Sequence, residues 1–200
     1  KSTLINVLSG FFPADAGSVR LAGVDLLDLE AHQIAAEGVA RTFQIPRPFS
    51  TMTALENVAV SYMFGQRKHS LAEARVAADD WLEFTGLASV ADRDVSQLNL
   101  QQLKFLELAR ALATEPRLLL LDEVLAGLNP SEIQQSIAMI RRIHERGITL
   151  VIVEHVLRAV MSLSDRIVVL DQGMVIATGE PQTVMRDEAV VAAYLGGKKL

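Results

Sequence analysis

Two short apolar runs, each ending in polar side chains, constrain the fold more than any other feature of this sequence. Residues 118–121 precede Asp122 and Glu123, and residues 150–153 precede Glu154-His155. Apolar runs of this length are typical of strands buried on both faces of a parallel sheet. They are too short for a membrane span, which needs about 20 consecutive apolar residues. The sequence therefore predicts an α/β sheet.

The predicted elements alternate along the chain. We expect helices at 2–9, 31–37, 101–114, 130–145 and 155–162, a helical stretch that begins after Thr53, and another that ends near Phe84. We expect strands at 18–21, near Val24, and at 39–43, 117–121, 148–153, 166–170 and 174–178. Strand–helix–strand alternation indicates a sheet with right-handed crossovers. Residues 51–108 are predicted to be helical without strands, as a helical lobe within one domain spanning 1–200.

Composition argues against a nucleic-acid partner and excludes sites built from cysteine. The chain has 24 Asp and Glu against 19 Lys and Arg, and it has no cysteine. The acidic balance argues against nucleic acid as a partner, because backbone phosphates are bound by clustered positive charge. The absence of cysteine excludes disulfides and thiolate metal sites.

The carboxylates after the first apolar run are the first candidates for chemistry. In open α/β sheets, ligands lie at the carboxyl ends of the strands. Asp122 is suited to hold Mg²⁺ through water, and Glu123 to orient or deprotonate an attacking water. His155, after the second run, is expected at the same edge. The alternatives are ordinary surface acids, and a histidine that caps a helix or lies at the surface.

The start of the chain supplies a third candidate. Lys1-Ser2-Thr3 opens a helix whose first N–H groups form an anion site. It matches the end of G-x-x-x-x-G-K-[ST], in which the Lys reaches the β and γ phosphates and the Ser binds Mg²⁺. Lys-Ser pairs are common, so this match alone is weak. Because a helix opens at once with no preceding strand, we expect a fragment that begins inside its phosphate-binding loop.

The order of these motifs resembles the nucleotide-binding domain of ABC transporters over essentially the whole chain. The resemblance implies the following segments: 41–44 as the Q-loop, 118–123 as Walker B, 126–130 as the D-loop and His155 as the switch histidine. It implies a P-loop NTPase fold with a mainly parallel sheet and a helical subdomain, its N-terminal strands missing. The cofactors implied are ATP and Mg²⁺.

The resemblance also implies a role for each site residue. The catalytic set is Glu123, His155 and Gln44. The nucleotide-binding set is Lys1, Ser2, Thr3, Asn99, Gln101, Gln102 and Asn129. The Mg²⁺ set is Ser2, Gln44 and Asp122.

Three segments resemble the branched-chain (hydrophobic) amino acid uptake subfamily, namely 38–44, 126–130 and 193–196. This finer resemblance implies ATP-driven import of such amino acids or related amides in bacteria. The implied partners are a second ATP-binding subunit in a head-to-tail dimer, transmembrane permease subunits and, indirectly, a solute-binding protein. The implied location is peripheral, at the cytoplasmic face of the inner (plasma) membrane. The isolated fragment is expected to be inactive.

The sequence departs from the family pattern at its signature motif. L-S-G-G-Q is replaced by 98–102, Leu-Asn-Leu-Gln-Gln, so both glycine positions carry larger residues. Val124 and Asn129 stand where many relatives have Pro and Asp. An alternative function is therefore a degenerate nucleotide-binding scaffold with little hydrolysis of its own. A soluble ATPase acting on DNA or ribosomes is disfavoured by the single domain and the acidic balance.

Two aromatic residues have alternative interpretations. The loop 45–49 contains two prolines, which favour extended backbone, and it is predicted to present Arg47 and Phe49 outward to a permease. The alternative is an ordinary loop with Phe49 in the core. Trp81 lies at helical spacing with Leu71 and Ala78 and is predicted to be a core residue rather than an adenine platform.

Overall fold

The computed structural model describes residues 1–65 and 69–195. Among them are nine helices: α1 (Ser2–Leu8), α2 (Ala31–Ala36), α3 (Ala54–Met63), α4 (Leu71–Phe84), α5 (Leu100–Ala113), α6 (Pro130–His144), α7 (Leu157–Leu163), α8 (Pro181–Val184) and α9 (Glu188–Leu195). The seven strands in these residues are β1 (Arg20–Leu21), β2 (Val24–Asp25), β3 (Val39–Arg41), β4 (Leu118–Asp122), β5 (Thr149–Val153), β6 (Ile167–Asp171) and β7 (Met174–Gly179). The chain forms two compact units, Ser2–Val153 and Lys1 with Glu154 onward.

The larger unit is built on a parallel sheet in the order β3-β4-β5. The central strand β4 is buried from Leu119 to Asp122, as its apolar run predicts. Val39 pairs with Leu118 on one side of β4, and Asp122 pairs with Val153 on the other. Ile5 of α1 and Ile34 of α2 pack with Leu120 in one apolar cluster, so these helices cover the sheet. The predicted α/β class is confirmed.

Strand β3 is shorter than the predicted strand 39–43. Thr42 still donates its N–H to the Leu120 carbonyl at 2.9 Å, but the N–H of Phe43 turns to the carboxylate of Glu107 at 2.8 Å. A side chain has therefore replaced the neighbouring strand as acceptor. That change ends the strand and releases the following residues into a loop.

Helices α3, α4 and α5 share a separate apolar cluster centred on fully buried residues such as Val58, Leu82 and Leu106. Between 51 and 108, the described residues contain no strand, only an isolated bridge between Thr53 and Asp94. A capping box begins α3, because the side chains of Thr53 and Glu56 each accept the other's main-chain N–H. That these helices form a lobe within one domain of 1–200 stays a prediction.

The smaller unit contains the β6–β7 hairpin, with α9 against β7. Gln172 and Gly173 both have positive φ, 47° and 87°, which is the geometry of a two-residue hairpin turn. This turn joins the strands predicted at 166–170 and 174–178. Within 1–65 and 69–195, no helix combines the length and apolar character needed to cross a bilayer. The end of the segment 193–196 lies outside the described residues.

Candidate active site

The carboxyl end of β4 places two acidic side chains side by side. Asp122 is the last residue of the strand and is only 5% exposed. Glu123 follows with φ of 51°, in the left-handed region that disfavours residues with a Cβ atom. Its N–H donates to the Val153 carbonyl at 2.9 Å, which ties it to the end of β5. Such strain is commonly found at functional sites.

Gln44 meets Glu123 across the sheet edge. The side-chain amide of Gln44 donates a hydrogen bond from Nε2 to Oε2 of Glu123, although the two residues are 79 positions apart. Gln44 is exposed, and Glu123 is half-buried. The structure therefore brings together three predicted residues: Gln44, Asp122 and Glu123.

Arg41 links the first helix to this edge. Its Nη1 donates to Oδ1 of Asn6 at 2.8 Å and to Oγ of Ser9 at 2.9 Å, both near the end of α1. Its Nη2 lies 3.7 Å from Oδ2 of Asp122. Burial lowers the pKa of Arg41, while Asp122 and Glu107 act in the opposite direction. Sequence reasoning gave Arg41 no individual role, although an arginine inside an apolar strand was a usable signal.

Helix α5 contributes two buried charged residues that sequence reasoning missed. Lys104 and Glu107 are each 6% exposed. The Nζ of Lys104 donates to the main-chain carbonyl of Glu123 at 3.3 Å, and Glu107 accepts from Phe43. Burial raises the pKa of Glu107 to about 7, against the opposing effects of the Phe43 N–H and nearby cations, of which Arg110 has the largest effect. The available signal was a pair of charges, three residues apart, on an otherwise apolar helix face.

The predicted phosphate-binding residues at the start of the chain are exposed or contact residues of the smaller unit. Ser2 and Thr3 are exposed in the first turn of α1. The ammonium of Lys1 donates to the Tyr194 hydroxyl and lies 4.8 Å from the centre of that ring. Tyr194 in turn donates to the Leu170 carbonyl at 3.2 Å, within the smaller unit. Contact of Lys1, Ser2 and Thr3 with nucleotide stays a prediction.

The signature-like segment forms the start of α5. Asn99 is its N-cap, because Oδ1 accepts the Gln102 N–H at 2.8 Å, while Oε1 of Gln102 accepts the Asn99 N–H at 3.0 Å. This capping box uses the oxygen of each amide rather than its NH₂ group. Gln101 donates from Nε2 to Oε1 of Gln135 at 2.6 Å. These residues have roles within the chain, and their predicted contact with nucleotide stays untested.

Asn129 and His155 also have local roles. Oδ1 of Asn129 caps α6 by accepting the N–H groups of Ser131 and Glu132. His155 is exposed, and its N–H donates to the carboxylate of Glu154 at 3.3 Å. The helix predicted from 155 begins only at Leu157, because the preceding residue is extended. His155 belongs to the smaller unit, so its approach to Glu123 stays a prediction.

The donor set predicted for Mg²⁺ has suitable chemistry. The hydroxyl of Ser2, the amide oxygen of Gln44 and the carboxylate of Asp122 are hard oxygen ligands of the kind Mg²⁺ prefers. No group of three His, Cys, Asp or Glu side chains suited to a metal occurs among the described residues. Since Mg²⁺ at nucleotide sites is held by one or two carboxylates with water and phosphate, this donor set fits it.

Comparison with known families agrees with this geometry. The family model described as "ABC transporter" matches residues 1–126. A second, described as "Branched-chain amino acid ATP-binding cassette transporter", matches residues 174–199. This chain therefore belongs to the family of ABC transporter ATP-binding proteins.

Two curated relatives are branched-chain amino acid transport ATP-binding proteins. The high-affinity branched-chain amino acid transport ATP-binding protein BraF of Pseudomonas aeruginosa is 40% identical over 210 residues, covering 98% of this chain and 82% of that protein. The Escherichia coli protein LivG, with the same functional description, is 38% identical over 213 residues, with the same coverage.

Solved structures show the same fold. An ABC transporter ATP-binding cassette in its ADP conformation is 32% identical and has a TM-score of 0.86 over 98% of this chain and 83% of that one. A dimeric cassette in a post-hydrolysis state, bound to ADP and Pi, is 25% identical and has a TM-score of 0.80, covering 90% of this chain and 80% of that one.

Proposed function

We propose that this chain is the ATP-hydrolysing subunit of an importer for branched-chain or related hydrophobic amino acids. The observation that carries the proposal is the hydrogen bond between Gln44 and Glu123, beside the buried Asp122 at the end of β4. A carboxylate paired with an amide donor at this edge is suited to hold one water molecule in line with a terminal phosphate.

In this mechanism Glu123 accepts a proton from the attacking water, and the amide of Gln44 orients both. Ser2, Gln44 and Asp122 would hold Mg²⁺, which neutralises charge on the phosphates when it is bound. From the family resemblance, Lys1 would add positive charge at the β and γ phosphates, and His155 would contact the γ-phosphate. The N–H groups of Ser2 and Thr3 complete the anion site at the start of α1.

Hydrolysis is proposed to take place in a head-to-tail dimer with a second ATP-binding subunit. The segment 98–102 and Asn129 would then face nucleotide held by the partner. The NH₂ groups of Asn99 and Gln102 are suited to donate to it, because the capping box uses the amide oxygens. The dimeric solved relative, bound to ADP and Pi, supports the dimer.

The loop 45–49 is proposed to receive the permease. Ile45 is 73% exposed and Phe49 is 43% exposed, and Arg47 is exposed as predicted. The guanidinium of Arg110 donates to the Arg47 carbonyl at 2.8 Å and lies 4.8 Å from the Phe49 ring. Arg110 therefore anchors the loop to α5. The adjoining groove of about 250 Å³ is lined by apolar residues of α2 and β3, by three arginines and by Glu107, which suits a short amphipathic helix.

Docking there would place the chain at the cytoplasmic face of the membrane, with a solute-binding protein reaching it only through the permease. Substituting Arg47→Glu tests the docking surface. Transport-coupled hydrolysis should fall while ATP turnover by the free subunit stays unchanged. Unaltered assembly with the permease and unaltered coupling would count against docking at this loop.

Glu123→Gln in the gene product that carries this chain tests the enzymatic proposal. It should bind ATP but lose about 10²–10⁴-fold in turnover, the range for loss of general-base assistance. Glu83→Gln is the matched control, because Glu83 is exposed on α4 in the same unit. Near-normal phosphate release by Glu123→Gln would refute the proposed role.

One observation favours a second candidate, a scaffold subunit with little hydrolysis of its own. Asn99, Gln101 and Gln102 all engage their side chains within the chain, and none is the small residue that close approach to a phosphate requires. Turnover measured alone and with the partner ATPase separates the two. A scaffold subunit hydrolyses little ATP alone. Its Glu123→Gln variant leaves the ATP turnover of the partner ATPase unchanged.

A further inference from the structure

Glu107 is a buried carboxylate whose hydrogen bond goes to the main chain of another segment. It lies on α5, and its Oε1 accepts the N–H of Phe43 at 2.8 Å. Burying a carboxylate is costly unless it is hydrogen-bonded or paired. The bond falls where β3 has ended and immediately before Gln44, so the carboxylate fixes the point at which the loop leaves the sheet.

Lys104 makes a second contact from the same face of α5. It lies three residues before Glu107, and its Nζ donates to the Glu123 carbonyl at 3.3 Å. One helix therefore holds the main chain on both sides of the Gln44–Glu123 hydrogen bond: next to Gln44 through Glu107, and at Glu123 itself through Lys104. A helix is stiff over one turn, so the two contacts constrain the relative position of the pair.

Charged groups around Glu107 come from two elements. Arg41 approaches from β3, and Lys104 and Arg110 lie on α5 itself. Arg41 also reaches Asp122, and Arg110 also reaches the Arg47 carbonyl. Glu107 thus lies near both Arg41, which contacts Asp122, and Arg110, which contacts the loop 45–49.

We propose that Glu107 is a positioning residue for hydrolysis, which holds the Phe43 N–H and thereby sets where Gln44 meets Glu123. This inference rests on the function proposed above, because it assigns Glu107 a part in that reaction. In this role Glu107 acts through Gln44 and is not itself a catalytic residue. Its removal should therefore lower kcat without weakening ATP binding.

Two variants at this position, with one control, make the test. Glu107→Met removes the acceptor at similar volume, and Glu107→Gln retains an oxygen that accepts the Phe43 N–H. Glu83→Met is the control, an exposed carboxylate on a neighbouring helix. The measurements are kcat and KM for ATP, and amide hydrogen exchange at Phe43 by NMR, in the gene product that carries this chain.

Glu107→Met should lower kcat on the order of tenfold or more, because displacement of a positioned group by about 1 Å can cost about 10²-fold. Its KM should stay within about twofold, and exchange at Phe43 should accelerate on the order of tenfold, as expected for loss of a hydrogen bond of about 1 kcal/mol or more. Glu107→Gln should restore most of both properties, and Glu83→Met should change neither.

The inference is overturned by a normal kcat in Glu107→Met, by a KM raised as much as kcat is lowered, or by unchanged exchange at Phe43. Failure to be rescued by Glu107→Gln would also overturn it. Failure of the proposed function looks different, because the unmodified protein would then turn over little ATP, or Glu123→Gln would turn it over normally. The exchange measurement tests the hold on Phe43 without any hydrolysis.

Discussion

Replacing Glu107 by glutamine should remove a pH dependence of folding stability. Burial raises the pKa of Glu107 from its ordinary value of 4.5 to about 7 in the folded chain. Between those values the folded chain keeps the proton and the unfolded chain has released it. Because the unfolded state binds fewer protons, the free energy of unfolding falls as pH rises through this window.

The size of the effect follows from the two pKa values. Each pH unit between them corresponds to about 1.36 kcal/mol, so Glu107 should reduce the free energy of unfolding by about 3 kcal/mol between pH 4.5 and 8. The contribution is fully present below pH 4.5 and is lost as the pH passes 7. Glu107→Gln keeps the shape of the side chain and cannot titrate, so it lacks this loss.

Urea denaturation of both proteins at pH 4.5 and pH 8 measures the effect. Trp81 is the single tryptophan and lies in the same compact unit as Glu107, so its fluorescence reports the relevant transition. Other titrating groups occur in both proteins and cancel in the difference. Glu83→Gln serves as the exposed control. A difference between wild type and Glu107→Gln that stays constant with pH, within about 0.5 kcal/mol, would refute the reasoning.

Three further substitutions test the packing of the larger unit. Asn57 is fully buried and holds the loop before α3 through four hydrogen bonds, so Asn57→Ala should cost about 3 kcal/mol in urea denaturation. Gly127 has φ of 78°, and an added Cβ would lie 3.1 Å from Leu100, so Gly127→Ala should cost about 1–2 kcal/mol by thermal denaturation. The guanidinium of Arg146 lies 4.2 Å from the Phe84 ring, so Arg146→Ala should cost about 1 kcal/mol, and an unchanged midpoint would exclude a stabilising contact.

The sequence predicted those elements that depend on residues close together in the chain. Thr53 and Glu56 predict the start of α3, because a capping box involves only residues three apart. The turn before Met174 follows from Gln172 and Gly173, which both adopt positive φ. Trp81 is half-buried and packs against the cluster of α3, α4 and α5, so it lies at the edge of this core.

Contacts between distant segments were not predictable in the same way. Phe43 and Glu107 are 64 positions apart, and no periodicity shows that a helical carboxylate will end a strand. The contact of Lys104 with the Glu123 carbonyl has the same character. Asn99 caps α5, a role that resemblance to the signature motif does not imply.

Part of the candidate site was predictable because parallel strands align their ends. Asp122 and Glu123 follow from the apolar run before them, and Gln44 follows from the family resemblance. The approach of Lys1 and His155 to these residues depends on how two compact units meet, which local patterns do not determine. Their roles stay predictions.

The backbone at Glu123 has a practical consequence for protein engineering. A residue with φ of 51° is one that glycine replaces with a gain of about 1 kcal/mol in folding stability. Glu123→Gly should therefore melt at a higher temperature while lacking the carboxylate that turnover requires. A library of this chain selected only for heat resistance would enrich inactive proteins at this position, so any such selection needs a parallel screen for phosphate release.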